Sequence, residues 1–377
     1  MARFVSIILR LLPRLGNADF DFSASKPETI AVVNWENIGD FVLFTPVLRQ
    51  IRLNFPSSKI ILVSQDSMDC FAEFCPYADE WIVVKGHFKA KPGTAYGKPT
   101  PYLYKLILTY LKLLKSGKGK IGFIFGPDWL LFSNPRQPSR NLLQKKTFRD
   151  VRQLSDNLDL EVYKENDHQV TRMLSIIEMY GLKIFDNHLE NWLFRNTKSE
   201  FNSFESQNRT VIFPLGAGQI RRAWPIERVR DLCNRISSDF PEYKFIFLGP
   251  ESLATQENYK ILSKIDNSRI LLGKTTLIES ARLVAESEMV ITNDSGVAHI
   301  AASLKRKTIV ISAHALSAEK WHLNSPARYS PWQNDRLILQ PKGLTNPCVG
   351  NCTSLKPHCI LGISVDEVYS AFKKLKD

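Results

Sequence analysis

The sequence predicts an α/β protein of two domains, each built on a parallel sheet. Its 377 residues exceed what one ordinary hydrophobic core accommodates and suit two domains of roughly 150 to 200 residues. A strand, helix, strand pattern begins at Thr29, and a similar pattern restarts at Thr210 after a polar stretch. Two copies of one pattern on either side of a polar segment indicate two similar domains joined by a linker.

The first domain is predicted over residues 1–190. The β-branched run Thr29–Val33 is typical of a buried parallel strand, and Lys59–Val63 is the next strand. Between them, apolar residues recur at helical spacing over Phe41–Phe55, and Pro56 ends that helix. A right-handed unit of this kind is Rossmann-like. The other elements predicted here are strands at Trp81–Val84 and Ile121–Phe125 and a helix at His168–Tyr180.

A polar linker is predicted at residues 191–208, and a second Rossmann-like domain at residues 209–360. We expect residues 361–377 to form a helix that crosses back to the N-terminal domain. The second domain begins with strand Thr210–Phe213, helix Pro225–Ser238 and strand Lys244–Leu248. Because open α/β sheets bind ligands at the carboxyl ends of their strands, we expect the two domains to face a central cleft.

The composition is that of a folded protein with an anionic partner. Lys and Arg number 50 against 38 Asp and Glu, giving a formal charge of +12. Nucleic acid, an acidic membrane surface and a phosphorylated glycolipid all fit this charge. No apolar run is long enough to span a bilayer, and the apolar stretch Phe4–Leu15 is expected to pack on the protein or lie on a membrane surface.

The first junction with residues suited to chemistry is Asn37–Asp40, which follows the first strand. Asp40 at a helix start is either a cap that accepts from backbone amides or a general base at the cleft. Gly39 would let an acceptor approach the backbone closely.

The second junction, Pro214–Pro225, combines a small-residue turn with cations. Amides of Gly216, Ala217 and Gly218 could face a phosphate at the following helix. Arg221 and Arg222 could stabilise a departing diphosphate in the absence of a metal. Trp224 is interpreted as a packing anchor.

The third junction follows an apolar strand and contains Asp294, Ser295 and Gly296, with His299 on the next helix. Ser295 and Gly296 could offer a hydroxyl and amides to a phosphate or sugar. Alternatively, Asp294 caps the helix and His299 is a hydrogen-bonded core residue.

Two further segments allow more than one interpretation. The basic stretch Ser133–Gln153, with Arg136 and Arg140, is either a solvated loop or a flap that gathers acceptor phosphates. The late cysteines Cys348, Cys352 and Cys359 show only half of a zinc pattern, and His358 beside Cys359 could hardly face the same ion. We therefore expect free thiols and no metal site.

Together the three junctions resemble glycosyltransferase family nine, the heptosyltransferase family. The first family signature is matched by NIGDFVLFTPVLRQI, the second by PLGAGQIRRAWP and the third by NDSGVAHIAA. The resemblance spans about residues 29–372. Phe213 stands where the family usually has His, and Arg222 where it usually has Lys, which keeps the charge but alters its geometry.

The resemblance implies a GT-B type fold and an inverting, metal-independent glycosyltransferase that needs no cofactor. It makes Asp40 the general base. The implied donor-binding residues are Gly216, Ala217, Gly218, Arg222, Glu251, Lys274, Thr275, Asp294, Ser295, Gly296 and His299. The acceptor-binding residues are expected to be Asn37, Gly39, Arg136 and Arg140.

The implied partners are a nucleotide-sugar donor, typically ADP-heptose, and an anionic glycolipid acceptor of the lipopolysaccharide core. We expect a cytoplasmic protein in peripheral contact with the inner membrane surface. Nucleic acid is not expected, since the basic residues are dispersed without interleaved aromatics. Two alternatives remain open at this point: a nucleotide-sugar epimerase of the same architecture, and a non-catalytic glycan or nucleotide-sugar binding module.

Overall fold

The computed structural model describes residues 29–34, 37–72, 74–84, 121–126, 168–179, 181–190, 192, 209–317, 325–345, 348, 354 and 356–377. The chain divides into two compact units, Met1–Asn187 and His188–Asp377. Apart from residue 192, the predicted linker lies outside the described residues and stays a prediction. Arg136 and Arg140, the rest of segment 133–153, and the apolar stretch at residues 4–15 also lie outside them.

The first unit contains a parallel sheet with the strand order β3-β2-β1-β4. Strands predicted from the sequence are all present. Helix α1 begins at Ile38 rather than at Phe41, so Asp40 lies inside its first turn. The elements are β1 (Thr29–Asn34), α1 (Ile38–Asn54), β2 (Lys59–Gln65), α2 (Asp69–Ala72), β3 (Glu80–Val84), β4 (Ile121–Gly126) and α3 (Gln169–Met179).

Helix α1 continues through an internal proline because a neighbouring side chain replaces the missing donor. Pro46 has no amide hydrogen, so the carbonyl of Val42 loses its helical partner. The hydroxyl of Thr45 donates to that carbonyl at 2.7 Å, and Thr45 is only 1% exposed. The buried carbonyl is therefore satisfied without water, and the helix extends to Asn54.

The second unit contains a six-stranded parallel sheet with the order β10-β9-β8-β5-β6-β7. Its central strands are fully buried, as their continuous apolar runs predict. The elements are β5 (Thr210–Pro214), α4 (Ile226–Asp239), β6 (Lys244–Leu248), α5 (Gln256–Leu262), β7 (Ser268–Ile270), α6 (Leu277–Glu286), β8 (Met289–Asn293), α7 (Gly296–Ser303), β9 (Lys307–Ile311), α8 (Pro326–Tyr329), β10 (Arg336–Leu339) and α9 (Val365–Lys376).

The last helix, α9, completes the core of the second unit. Sequence reasoning had this helix crossing back to the N-terminal domain. The structure buries the apolar face of α9 beside α4, β9 and β10 of the second unit, with Val368, Tyr369 and Phe372 at most 2% exposed. The crossing to the N-terminal domain stays a prediction. Phe372 packs edge-on against Tyr243, with ring centroids 5.1 Å apart. The apolar face of α9 is therefore packed against aromatic side chains of the same unit.

Among the described residues, no helix combines the length and apolar character needed to cross a membrane.

Candidate active site

Among the described strands, each sheet has a reversal point, where successive strands stop adding to one edge of the sheet and begin adding to the other. In the second unit, β6 and β7 extend the sheet on one side of β5, whereas β8, β9 and β10 extend it on the other. In the first unit the same reversal lies between β1 and β4. Loops leaving the carboxyl ends of strands at such a point diverge and leave a crevice, which is where open α/β sheets bind ligands. The junctions singled out in the sequence all follow these reversal strands.

Arg222 and Asp294 meet at the reversal point of the second unit. Arg222 lies in the single helical turn Ile220–Arg222 after β5, and Asp294 follows the adjacent strand β8. The Nη2 of Arg222 donates to the backbone carbonyl of Asp294 at 2.8 Å and also contacts the Asp294 carboxylate. Asp294 is therefore not the cap of α7, and its side chain is only 14% exposed. It neutralises and orients the guanidinium.

Two residues beside this pair were missed by sequence reasoning. His314, in the loop after β9, places Nε2 3.8 Å from the Asp294 carboxylate oxygen. Asn293, only 5% exposed, donates from Nδ2 to the carbonyl of Gly216 at 2.9 Å and accepts from the amide of Trp224 at 2.9 Å. Asn293 thus ties β8 to both ends of the turn that carries Arg222. Asn293 ends β8 and His314 lies three residues after β9, and this position at the carboxyl ends of buried strands was the signal that could have identified them.

The loops after β5, β6 and β7 pack tightly because two glycines have positive φ. Gly216 has φ of +86°, and a Cβ there would meet Leu253 Cδ1 at 2.8 Å. Gly273 has φ of +68°, and a Cβ there would lie 2.9 Å from the Cα of Glu251. Both conformations disfavour L side chains. The approach to backbone at Gly273 also excludes one, whereas at Gly216 the end of the Leu253 side chain would have to shift. The predicted donor residue Glu251 is thereby held next to the turn of Gly273, and Leu253 lies next to that of Gly216.

The other predicted donor residues in these loops differ in exposure. Gly218 is exposed, and a Cβ there would meet no atom within 4 Å, whereas Ala217 is half-buried. Lys274 is exposed, with Nζ 5.5 Å from the centre of the Tyr259 ring. Thr275 Oγ1 lies 2.9 Å from the hydroxyl of Ser280. Gly218 and Lys274 are therefore accessible to a ligand, and Thr275 is engaged with α6.

The N-terminus of α7 has no side-chain cap. Ser295 is the N-cap residue, but its hydroxyl lies 3.2 Å from that of Thr292 rather than on a helix amide. Gly296, the first residue of α7, is half-buried. An uncapped helix start leaves amides available for an anion.

His299 on α7 is a buried neutral residue next to the ion pair. It is 6% exposed, and burial lowers its pKa to about 4, with Asp294 raising it and Arg222 lowering it by smaller amounts. Its Nδ1 has no hydrogen-bond partner among the described residues, in contrast to the hydrogen-bonded core histidine considered from sequence. A neutral imidazole cannot act as a cation for phosphate at neutral pH.

In the first unit, Asn37, Gly39 and Asp40 lie at the start of α1, after the reversal strand β1. Asn37 is the exposed N-cap residue and makes no side-chain cap bond. Gly39 is buried, whereas Asp40 is half-buried in the first turn. Asp40 is therefore not the N-cap residue, and a carboxylate here interacts favourably with the helix dipole.

A separate cluster of possible metal ligands lies before α9. One ligand atom each from Cys348, His358 and Cys359 lies within 4.8 Å of the others. Burial raises the pKa of the Cys359 thiol, and the amide of Thr345 opposes this by donating to its sulfur at 3.4 Å. The expectation that His358 and Cys359 could hardly face one ion was wrong: Nδ1 of His358 lies 3.1 Å from Cys359 Sγ.

Comparisons with known proteins identify the family. The family model described as glycosyltransferase family 9 (heptosyltransferase) matches residues 140–346, which is more than half of the chain. Lipooligosaccharide heptosyltransferase 2 of Campylobacter jejuni strain 81116 is 32% identical over 352 residues, covering 90% of this chain and 96% of that protein. The chain belongs to glycosyltransferase family 9.

Solved structures agree on the fold of this family 9 protein. A family 9 glycosyl transferase from Veillonella parvula superimposes with a TM-score of 0.63 at 17% identity, covering 93% of this chain and 97% of that one. ADP-heptose lps heptosyltransferase II of Escherichia coli gives a TM-score of 0.56 at 15% identity, covering 92% and 98%. The fold is GT-B type, and the protein is a glycosyltransferase. The family match includes the second and third junctions, whereas Asn37–Ile51 precedes it.

Proposed function

We propose that this enzyme transfers a heptose, or a related sugar, from a nucleotide diphosphate donor to a lipopolysaccharide core or similar glycan. ADP-heptose is the proposed donor. The support is the family membership together with relatives that are themselves lipooligosaccharide heptosyltransferases.

The proposed reaction is a single displacement with inversion that needs no metal. The Asp40 carboxylate takes the proton of an acceptor hydroxyl, whose oxygen attacks the anomeric carbon. The bond from that carbon to the donor's diphosphate oxygen breaks, and the nucleoside diphosphate leaves with the electron pair. Arg222 and the amides at Gly216–Gly218 and Ser295–Gly296 stabilise the negative charge that develops on the diphosphate.

The observation that carries this proposal is the anchored guanidinium at the reversal point. Asp294 binds Nη2 of Arg222, and the Arg222 side chain remains 23% exposed. A guanidinium fixed at one nitrogen retains donors for a second anion in a defined orientation. The uncapped start of α7 follows directly after Asp294, so its backbone amides and the Arg222 guanidinium are available to the same anion.

We further propose that the protein works at the cytoplasmic face of the inner membrane, in peripheral contact with it. The net charge of +12 favours approach to an anionic glycolipid surface. This contact would weaken steeply with added salt.

The test is an incubation with ADP-heptose and a truncated core glycolipid, followed by product analysis. Transfer with inversion supports the proposal. Formation of an epimeric nucleotide sugar would support the epimerase instead, and binding without turnover would support the binding module.

Thermal shifts with a panel of nucleotide sugars identify the donor, since the ligand that binds most tightly raises Tm most at equal concentration.

The role of Asp40 is tested with Asp40→Asn, which keeps the side chain's size and removes its basicity. We expect kcat to fall at least about 100-fold with donor binding retained. Asp69→Asn is a matched control, since Asp69 is an exposed acidic residue in the first turn of another helix of the same unit. Near-normal turnover by Asp40→Asn would refute the assignment.

A further inference from the structure

The side chains of Cys348, His358 and Cys359 are typical metal ligands, and the proposed sugar-transfer reaction does not use them. Two thiols and an imidazole are the ligands that zinc prefers in structural sites. Within the described part of the chain, this is the group of three or more His, Cys, Asp or Glu residues whose ligand atoms converge. None of the described cysteines is in a disulfide.

The distances in the cluster are close to those of a bound ion. A tetrahedral zinc with bonds of about 2.3 Å to sulfur holds its ligand atoms roughly 3.8 Å apart. The three ligand atoms here lie within 4.8 Å of one another, and His358 Nδ1 lies 3.1 Å from Cys359 Sγ. Side-chain adjustments of under about 1 Å would therefore complete three of the four positions.

The surroundings of the cluster suit a thiolate ligand and an entering ion. The backbone amide of Thr345 donates to Cys359 Sγ at 3.4 Å, an outer-shell bond that orients a sulfur ligand. Cys359 is 5% exposed, whereas Cys348 and His358 are half-buried, so the cluster has a solvent side.

The position of the cluster explains what an ion would do. Cys359 begins the turn Cys359–Gly362, which leads into α9. The next residue, Ile363, accepts from the Trp224 indole at 3.0 Å and from Arg228 at 2.7 Å. The cluster thus connects the loop after β10 to the segment Cys359–Ile363, which accepts the hydrogen bond from Trp224. An ion here would offset the entropic cost of ordering that loop.

We propose that Cys348, His358 and Cys359 bind a thiophilic divalent metal ion, with zinc as the preferred ion, that stabilises the segment leading into α9. The ion displaces the thiol protons and binds two thiolates and a neutral imidazole. The site is structural and takes no part in the displacement. Cys352 lies between these residues in the sequence but outside the described part.

The test is metal analysis of the full-length protein, purified under reducing conditions and titrated with zinc. We expect one zinc per chain, released by a strong chelator with a fall in Tm. Cys348→Ser changes a half-buried ligand with little effect on packing and should weaken zinc binding at least about tenfold. Cys75→Ser is the matched control because it also removes a half-buried thiol, and it should leave binding unchanged.

Cobalt(II) substitution adds a readout that does not depend on stability. The wild type should show thiolate-to-cobalt charge-transfer absorption. This absorption should weaken in Cys348→Ser, which loses one thiolate. In His358→Gln it should persist, but the ligand-field bands should change. Equal zinc affinity in wild type and Cys348→Ser would overturn the proposal. So would a thiol count showing that Cys348 and Cys359 form a disulfide in the purified protein.

Discussion

Arg222 Nη2 donates to the backbone carbonyl of Asp294 at 2.8 Å, although the two residues lie 72 positions apart in the chain. The same nitrogen contacts the Asp294 carboxylate. The bond joins the turn after β5 to the start of α7, the two parts of the second unit that offer cationic and amide groups to an anion.

Replacing Arg222 should impair donor binding and catalysis, whereas replacing its neighbour should not. We expect Arg222→Ala to lower kcat/KM about 10- to 1000-fold, since a fixed donor to the diphosphate is lost. Arg222→Lys should recover only part of this, because an ammonium lacks the planar fork. Arg221→Ala is the matched control. Steady-state kinetics with varied donor would contradict the assignment if the two alanine variants behaved alike.

Removing the hydroxyl of Thr45 should destabilise α1. Thr45→Val keeps the shape but leaves the buried carbonyl of Val42 without a donor, and we expect a loss of about 1–3 kcal/mol in the free energy of unfolding. In a Pro46→Ala background the restored amide serves that carbonyl, so the same substitution should cost much less. Urea denaturation of all four proteins gives the coupling energy, and additive effects would exclude this explanation.

Acid should destabilise the second unit through His299. Its pKa is about 4 in the folded protein and near 6.5 when exposed, so the unfolded state binds more protons between these values. Stability is therefore retained above pH 6.5 and is lost as pH falls toward 4, by up to about 3 kcal/mol. When the free energy of unfolding is measured against pH, His299→Gln should remove this fall in stability between pH 6.5 and 4. His188→Gln, at an exposed histidine, should leave it unchanged, and parallel profiles for all three proteins would count against the mechanism.

Alanine substitution should lower the stability of the protein at Gly273 but not at Gly218, although both glycines lie in loops that follow strands of the second unit. Gly273→Ala places a Cβ 2.9 Å from Glu251 Cα at a φ of +68°, so we expect a loss of about 1–3 kcal/mol. Gly218→Ala meets no atom within 4 Å and should change stability by less than about 0.5 kcal/mol. A raised donor KM in Gly218→Ala without a change in Tm would indicate close approach of the ligand. Equal Tm values for both variants would argue against the steric explanation.

The sequence predicted strands β1 to β4 of the first unit and β5, β6 and β8 of the second because each is a short, nearly continuous apolar run, whereas β7, β9 and β10 were not predicted. Lys244–Leu248 was predicted with the bounds that the structure shows. The sequence also placed Arg222 and Asp294 in junctions that follow strands of the same domain, but it did not predict that β5 and β8 are neighbours at the reversal point.

What the sequence could not supply were contacts between distant segments. The role of Asp294 as the partner of Arg222, the bridging of Gly216 to Trp224 by Asn293, and the packing of α9 on Tyr243 all depend on which loops become neighbours. The start of α1 was misplaced because Ile38 and Gly39 carry no strong helix signal. His358 and Cys359 were judged by adjacency alone, whereas the backbone at His358 turns the two side chains toward each other.

The burial of α9 has a practical consequence for handling this protein. Deleting that helix would uncover Tyr243 and the flank of α4, where Phe372 and Tyr369 now pack. Variants that lack α9 should therefore expose an aromatic surface and aggregate when overproduced. This is expected even though the catalytic groups proposed above all lie before α9 in the chain.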